Sequence, residues 1–452
     1  MTMNRRGLLR SMTGAGLLGL TGAREQLAQE AAGRAAKGTP SPKIKDIQVI
    51  ETQPANARLT VVKILTDQDG LYGYGCATFT QRAELVRVAV ERYLKPLLLG
   101  RTTDRIEDIW QTAYDSSYWK NGPVLNNAIS GVDEALWDIK GRQAGLPVYQ
   151  LVGGKCREAV ECFASARGGD PKAVIEASKE LVKRGFRYIR VGGGGEGGPG
   201  GPGGPGGPAA PRASHVLHNG PLYDREASYR RTLKLLEECS GAFGAEIQWA
   251  TDMHERYDPR QAVQFCKAVE KLNIFFIEDP LSPEDLAWFR QIRQQCTTPL
   301  AMGELFNSPH EWQPLIQERL IDYIRCHVSQ VGGFTPARKI ALLAENYGVK
   351  TCWHAPGDLS PVGHMANVTL DIVSYNFGIQ EWSPFNPKVL EVFHGCAEMK
   401  DPYLWVSEKP GWGIEVDEKA AAKFPFTDSG ARSGLNGGWG DLRLADGTVI
   451  KQ

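Results

Sequence analysis

The sequence predicts a parallel βα barrel capped by a smaller α+β domain. Three observations carry this. Short apolar runs alternate with amphipathic stretches from Cys156 onward; polar residues close successive runs at an interval near 26; and the residues before Cys156 follow a different, period-two pattern. With 452 residues, 42% apolar and 23% charged, the chain is long enough to bury a large core in more than one domain. Formal net charge is zero with both signs interleaved, which excludes a nucleic-acid face and favours a small-molecule enzyme. Nine cysteines are scattered with no close CxxC pair, so they read as buried free thiols, not as a disulfide framework or a zinc site.

Taken in order, residues 1–43 stand apart. "NRRGLLRSMTGAGLLGLTGA" has a twin Arg5-Arg6, a weakly apolar glycine-rich run and small residues at its end. It is too short and mild for a stable membrane span but has the form of a twin-arginine export signal, followed by a tether. Export is the expected location and the cytoplasm the alternative. Residues 44–158 form the predicted cap. "IKDIQVIETQ" and "RLTVVKILTDQDGLYGYGCA" alternate in period two around an Asp-Gly turn, and three helices follow, Arg82 to Leu98, Arg105 to Tyr118 and Asn126 to Ala144.

Residues 159–389 carry the predicted barrel strands: "AVECFAS", "RYIRV", "EIQWATD", "FFIEDP", "LAMGE", "DYIRCH", "TCWHA" and "FGIQE". A glycine-proline insert at 192–211 interrupts them after the second strand. It lacks the Lys-Ser or Lys-Thr end of a phosphate cradle, and such runs cannot pack a core. Residues 390–452 are expected to return to the cap and end in a Gly-rich tail with a short pair of strands around "LRLADGTVI".

Asp252, Glu278 and Glu304 lie 26 residues apart each time. One strand, helix and loop fill such an interval, so each carboxylate closes its own strand at the barrel mouth. Three converging carboxylates repel unless a cation sits among them, and hard oxygen ligands select magnesium, with manganese possible, one ion per subunit. Asp279 could compete with Glu278, but strand alternation turns it away and Pro280 follows, which fits a turn residue. His254 and His354 are placed to flank the cation for proton abstraction next to a carboxylate. His327 follows Arg325 on a strand end, in a supporting position. Glu381 or Asp358 is positioned to orient His354 or to bind a hydroxyl, and Arg190 and Arg325 are fork-shaped donors suited to a substrate carboxylate.

The motifs "YWKNGPVLNNAISGVDEALWDIKGRQAGLPVYQLVGG", "EDP", "GELFNS", "HAPGDLSPVGH" and "NFGIQEW" make the chain, from Ile44 to Phe426, resemble the enolase superfamily. The likeness is to its mannonate and gluconate dehydratase group, including starvation-sensing relatives. The resemblance implies a modified (β/α)7β TIM-type barrel with a capping domain, and magnesium on Asp252, Glu278 and Glu304. It implies His254 as proton donor to a departing 3-hydroxyl, and Arg325, His354, Asp358, Glu381 and Trp382 as substrate contacts. The implied reaction is loss of water from a D-mannonate- or D-gluconate-type acid through an enediolate, giving a 2-keto-3-deoxy acid. The implied assembly is a homo-oligomer, dimer to octamer.

The chain departs from the group in ways that bear on the base. Arg190 matches the arginine of the group's tyrosine-arginine pair, but the loop that should hold the tyrosine is the glycine-proline insert. Ser165 stands where a histidine is expected, and the asparagine of the first hairpin has no clear counterpart near Asn56 and Arg58. Arg190 could act as a base only with a strongly lowered pKa, so Tyr223, beyond the insert, is the candidate to replace the base, with His215 and His218 as alternatives. A racemase or epimerase of the same superfamily, or a poorly active sugar-acid-binding relative, is the alternative function.

Overall fold

A computed structural model describes residues 41–55, 57–192, 217–218, 222–355, 357, 359–427 and 442–450. The leader, the insert from residue 193 and Asp358 lie outside these.

In the cap, β1 (Ile44–Thr52), β2 (Leu59–Thr66) and β3 (Tyr72–Cys76) form an antiparallel meander in which Val62 faces both Val49 and Gly75. The long helix Pro123–Ala144 lies across it and stops at Gly145, whose φ of 67° permits the left-handed cap before Pro147. Helix and strand approach so closely that a Cβ on Gly75 would come 2.1 Å from the Gly131 carbonyl oxygen, so glycine is required there. The predicted helix from Arg105 ends at Tyr114. Ser116 Oγ donates back to the Ala113 carbonyl at 2.7 Å, a local bond that competes with further helical turns.

The barrel is built from β4 (Val160–Ser165), β5 (Tyr188–Arg190), β6 (Gln248–Asp252), β7 (Phe276–Glu278), β8 (Leu300–Met302), β9 (Tyr323–Ile324), β10 (Lys350–Thr351) and β11 (Gln380–Glu381). Consecutive strands from β4 to β10 pair in parallel, and β11 pairs with β4 through Gln380↔Cys162 and Glu381↔Phe163. A parallel bridge, Thr351↔Phe377, joins β10 to the approach of β11 and closes the ring. This is the expected barrel, each strand coinciding with an apolar run of the sequence. Its interior is packed by Phe163, Ala250, Phe276, Ala301, Tyr323, Cys352 and Ile379. All nine cysteines are free. Among the described residues, no helix is long and apolar enough to cross a membrane.

One feature escaped the sequence reading. The segments Glu398–Lys400 and Tyr403–Trp405 form a hairpin that pairs antiparallel with the start of β4 through Leu404↔Val160. Strands of three residues carry too little alternation to be read. The chain then runs back along the cap: Gln53 N donates to the Phe424 carbonyl at 2.7 Å, and Tyr72 Oη to Glu415 at 2.9 Å. The cap covers the carboxyl ends of the barrel strands. Asn126 Nδ2 donates to the carbonyls of Asn307, beyond β8, and Gln330, beyond β9, at 2.8 and 2.7 Å.

Candidate active site

At the carboxyl ends of the strands, six buried or nearly buried carboxylates meet two buried arginines. Arg325 Nε donates to Glu278 Oε1 at 2.6 Å and its fork also holds Glu381. Arg190 comes from the other side, with Glu278 Oε2 and Glu381 Oε1 each at 2.7 Å and Asp252 Oδ2 at 3.7 Å. Ser165 Oγ accepts from Arg190 Nε at 3.1 Å. Burial pushes the Glu381 carboxyl up, but Arg325 and Arg190 outweigh it and hold the group below the usual carboxylate range. Burial likewise works against the Arg190 guanidinium, yet Glu278, Glu381 and Asp252 raise its pKa above the ordinary value. Arg190 therefore stays charged, and the strongly lowered pKa that base chemistry would require of it is not what its surroundings produce.

The second group of acids is answered far less: Arg325 Nη2 stands 3.9 Å from Glu304 Oε2, and Gly303 N–H donates to Asp279 Oδ1 at 3.1 Å. Glu255, Asp279 and Glu304 bring one carboxylate oxygen each within 4.8 Å of one another. Glu255 Oε1 and Asp279 Oδ2 are buried without a hydrogen-bond partner. Burial, and then repulsion from neighbouring carboxylates that include Asp252 and Glu278, raise all three carboxyls well above their ordinary values. Orphaned buried carboxylate oxygens at this spacing are the donor set of a hard divalent cation.

This corrects the sequence reading of Asp279 as a turn residue. β7 ends at Glu278, and Asp279 takes a φ of +40°, so strand alternation no longer applies and its side chain joins the cluster. Glu255 was missed for the same reason, since His254 and Glu255 have φ values of +48° and +52° beyond the end of β6. A signal was present: Glu255, Asp279 and Glu304 are spaced 24 and 25 residues apart, nearly the interval of the expected triad. Of that triad, Glu304 lies in the cluster, whereas Asp252 and Glu278 lie against the arginines.

Both histidines flank Glu304. His354 Nε2 is 3.2 Å from Glu304 Oε2, and His254 Nε2 is 3.8 Å from Oε1. His254 Nδ1 is 3.4 Å from Asp252 Oδ2, and its backbone N–H donates to Asp252 Oδ1 at 2.8 Å. Burial, helped by Arg256, lowers the His254 pKa to about 3, and burial also lowers that of His354, so both rings are neutral near pH 7.

Two expected residues are placed elsewhere. Trp382 follows Glu381 on the alternating strand, so it points outward and stacks on Phe186 at 5.9 Å between centroids, beneath Arg184. Tyr223 is buried with Leu442 and Ile450 of the tail; its hydroxyl donates to Ser228 at 3.1 Å, and its ring carries Arg256. Burial raises its phenol pKa, which disfavours the phenolate a base would need.

Comparison with known proteins agrees with this architecture. The profile of the enolase C-terminal domain-like family matches residues 173–420, and that of the mandelate racemase/muconate lactonizing enzyme N-terminal domain matches residues 35–153. The chain belongs to the enolase superfamily, in its mandelate racemase/muconate lactonizing branch. This enolase-superfamily chain is 46% identical over 415 residues to a D-galactonate dehydratase family member, RspA, of Pantoea ananatis, covering 90% of this chain and 98% of the relative. It is 46% identical over 407 residues to another D-galactonate dehydratase family member from Enterococcus gallinarum, covering 90% and 98%. Among solved structures, an enolase from Pantoea ananatis with bound D-gluconate and magnesium superposes with a TM-score of 0.84 at 45% identity, covering 91% of this chain and all of that one. The 3,6-anhydro-D-galactonate cycloisomerase of Zobellia galactanivorans superposes with a TM-score of 0.71 at 26% identity, covering 85% and 100%.

Proposed function

We propose that the protein is a magnesium-dependent hydro-lyase that dehydrates a sugar acid of the gluconate or galactonate type to a 2-keto-3-deoxy acid. The observation that carries this is Glu304, a member of the orphaned carboxylate cluster, bracketed by two neutral imidazoles within 4 Å. The cluster residues Glu255, Asp279 and Glu304 would hold the cation, with Asp252 and Glu278 adjoining them. When bound, the cation supplies positive charge against the substrate carboxylate and the enediolate that follows proton loss. Arg190 and Arg325, held charged by Glu278 and Glu381, keep the wall beside the acids near neutrality and orient the acid group.

Nδ1 of His254 lies toward Asp252, and its Nε2, beside Glu304, is the nitrogen that acts toward substrate. That nitrogen takes the proton as the C2–H bond breaks, and the electron pair passes into the carboxylate to form the enediolate. The enediolate collapses to a C2=C3 double bond as the C3–O bond breaks, and the imidazolium returns its proton so that the hydroxyl leaves as water. The enol then takes a proton at C3 and releases the proton of its C2 hydroxyl to solvent, becoming the 2-keto-3-deoxy acid. The cap over the β8 and β9 loops excludes bulk water from this step.

A panel of C5 and C6 aldonic acids with Mg2+, read by semicarbazide for keto acid and by C2 hydrogen exchange in heavy water, tests the reading. It fails if folded, metal-loaded protein leaves every acid inert in both assays. The leader supports export by the twin-arginine route; replacing Arg5 and Arg6 by lysine should retain the protein in the cytoplasm. Side chains of Tyr118 and Trp119, 89% and 82% exposed at the cap, support a homo-oligomer, which light scattering on the purified protein would register.

A further inference from the structure

The turn beyond β6 carries two residues on which the site depends, His254 and Glu255, and holds them at left-handed φ values of +48° and +52°. Side chains disfavour that region, and two such residues in succession persist only where the surroundings fix them. On its inner side the turn is tied by its own backbone: Met253 N donates to the Glu278 carbonyl at 3.0 Å, Glu255 N to the Asp279 carbonyl at 3.0 Å and Arg256 N to the Met253 carbonyl at 3.2 Å. Its outer end is gripped at two points of Arg256 by one short segment. Arg225 Nε donates to the Arg256 carbonyl at 2.9 Å, and the buried Arg256 guanidinium lies 5.6 Å from the centroid of the Tyr223 ring. Tyr223 and Arg225 flank Asp224, whose carboxylate accepts from Ala227 N at 2.9 Å and starts the helix Arg225–Phe243, so the helix start sets the spacing of the two grips.

What fixes Tyr223 comes from the end of the chain. Residues 442–450 fold into a tight hairpin: Leu444 N donates to the Thr448 carbonyl at 2.8 Å and Ile450 N to the Leu442 carbonyl at 3.1 Å, with Gly447 at a φ of +92° in the turn. Tyr223 N donates to the Arg443 carbonyl and Leu217 N to the Ala445 carbonyl, each at 2.8 Å. Tyr223, Leu442 and Ile450 are buried together in a cluster separate from the barrel core. We infer that Tyr223 is a positioning residue: clamped by the C-terminal hairpin, it holds Arg256 and thereby the turn that presents His254 and Glu255 to the mouth. The effect on turnover rests on the hydro-lyase reading, in which His254 moves the proton.

Hydrogen exchange of the full-length, Mg2+-loaded protein, read by mass spectrometry on the peptide spanning residues 253–257, tests this. Tyr223→Leu keeps apolar bulk for the hairpin but removes the aromatic face, and Ile450→Asp puts a charge into the cluster. Each should speed exchange of that peptide at least about tenfold and lower kcat at least about tenfold, while peptides from β7 to β9 exchange as in the wild type. Tyr223→Phe keeps the face and should stay with the wild type in both readouts. Unchanged exchange at 253–257 in the first two variants overturns the proposal, as does faster exchange with kcat unchanged. So does a loss of protection that spreads over the barrel strands, which a merely structural role would give, or a Tyr223→Phe that exchanges like Tyr223→Leu. Exchange needs no turnover, so failure of the dehydratase reading would show separately, as inert substrates with the exchange pattern intact.

Discussion

Two sets of buried carboxylates in this molecule are satisfied in different ways. On the long cap helix, Asp133, Glu134 and Asp138 are answered from within. Asp133 accepts from Thr335 N at 2.8 Å and Glu134 from Cys76 N at 2.8 Å. Asp138 accepts from Tyr74 N, Trp412 N and Arg142 Nε at 3.0, 2.8 and 2.9 Å. At the mouth, Glu255 and Asp279 keep oxygens that nothing in the described protein satisfies. The first set joins sheet, helix and barrel together. Burial raises the pKa in both, so the contrast lies in the donors: backbone N–H groups reach every member of the first set, whereas in the second Gly303 N–H reaches Asp279 Oδ1 at 3.1 Å and leaves Asp279 Oδ2 and Glu255 Oε1 without a partner among the described residues.

The largest expected effect breaks the second set. Glu304→Gln should lower kcat/KM at least about a thousandfold, around 4 kcal/mol of transition-state stabilisation, while the protein stays folded by circular dichroism. Asp138→Ala breaks the first set, stranding the N–H groups of Tyr74 and Trp412. It should cost about 3 kcal/mol in denaturant unfolding and leave the Mg2+ affinity of the folded protein unchanged.

Mg2+ itself should stabilise the wild type by about 2.7 kcal/mol at a hundredfold excess over Kd, seen as a higher thermal midpoint. Calorimetric titration of Asp279→Asn and Glu255→Gln against Asp252→Asn and Glu278→Gln shows which carboxylates bind. Equal loss in the two pairs would erase the boundary between the cation cluster and the arginine-bound acids.

A pH experiment sharpens the comparison. Burial raises Asp133 from 3.8 to about 7, against hydrogen bonds from Thr335 that lower it. Between about pH 4 and 7 the unfolded chain has lost this proton while the folded protein retains it, so stability falls as pH rises through that window. Asp133→Asn should flatten the slope by up to about 1.4 kcal/mol per pH unit in urea midpoints at fixed ionic strength. The smallest effect is Tyr223→Phe. With the hydroxyl engaged by Ser228, turnover should stay within about twofold; a large loss would restore Tyr223 as the base.

The barrel was legible because its apolar runs recur at a near-constant interval with polar residues at or just past their ends, and a closed ring of parallel strands brings those ends together. Glu304 and His354 followed from that rule, whereas His254 was placed by an alternation that its φ of +48° does not keep. Asp279 and Glu255 did not, because they lie one and three residues past their strands, at backbone angles of left-handed sign where alternation has ended. Trp382 was misplaced by the opposite error: it still obeys the alternation that puts Glu381 inward, so it faces out.

By itself the sequence determined the strand order and the acidic mouth, since these depend on local periodicity and on spacing along one chain, and its motifs carried the resemblance to the superfamily. Tertiary structure alone decided which oxygens are left without partners and which arginines answer which acids. It also decided that Nδ1 of His327 and Nδ1 of His354, 27 residues apart, meet at 2.6 Å. Such choices turn on distances of a few tenths of an ångström between elements that meet only when the barrel closes.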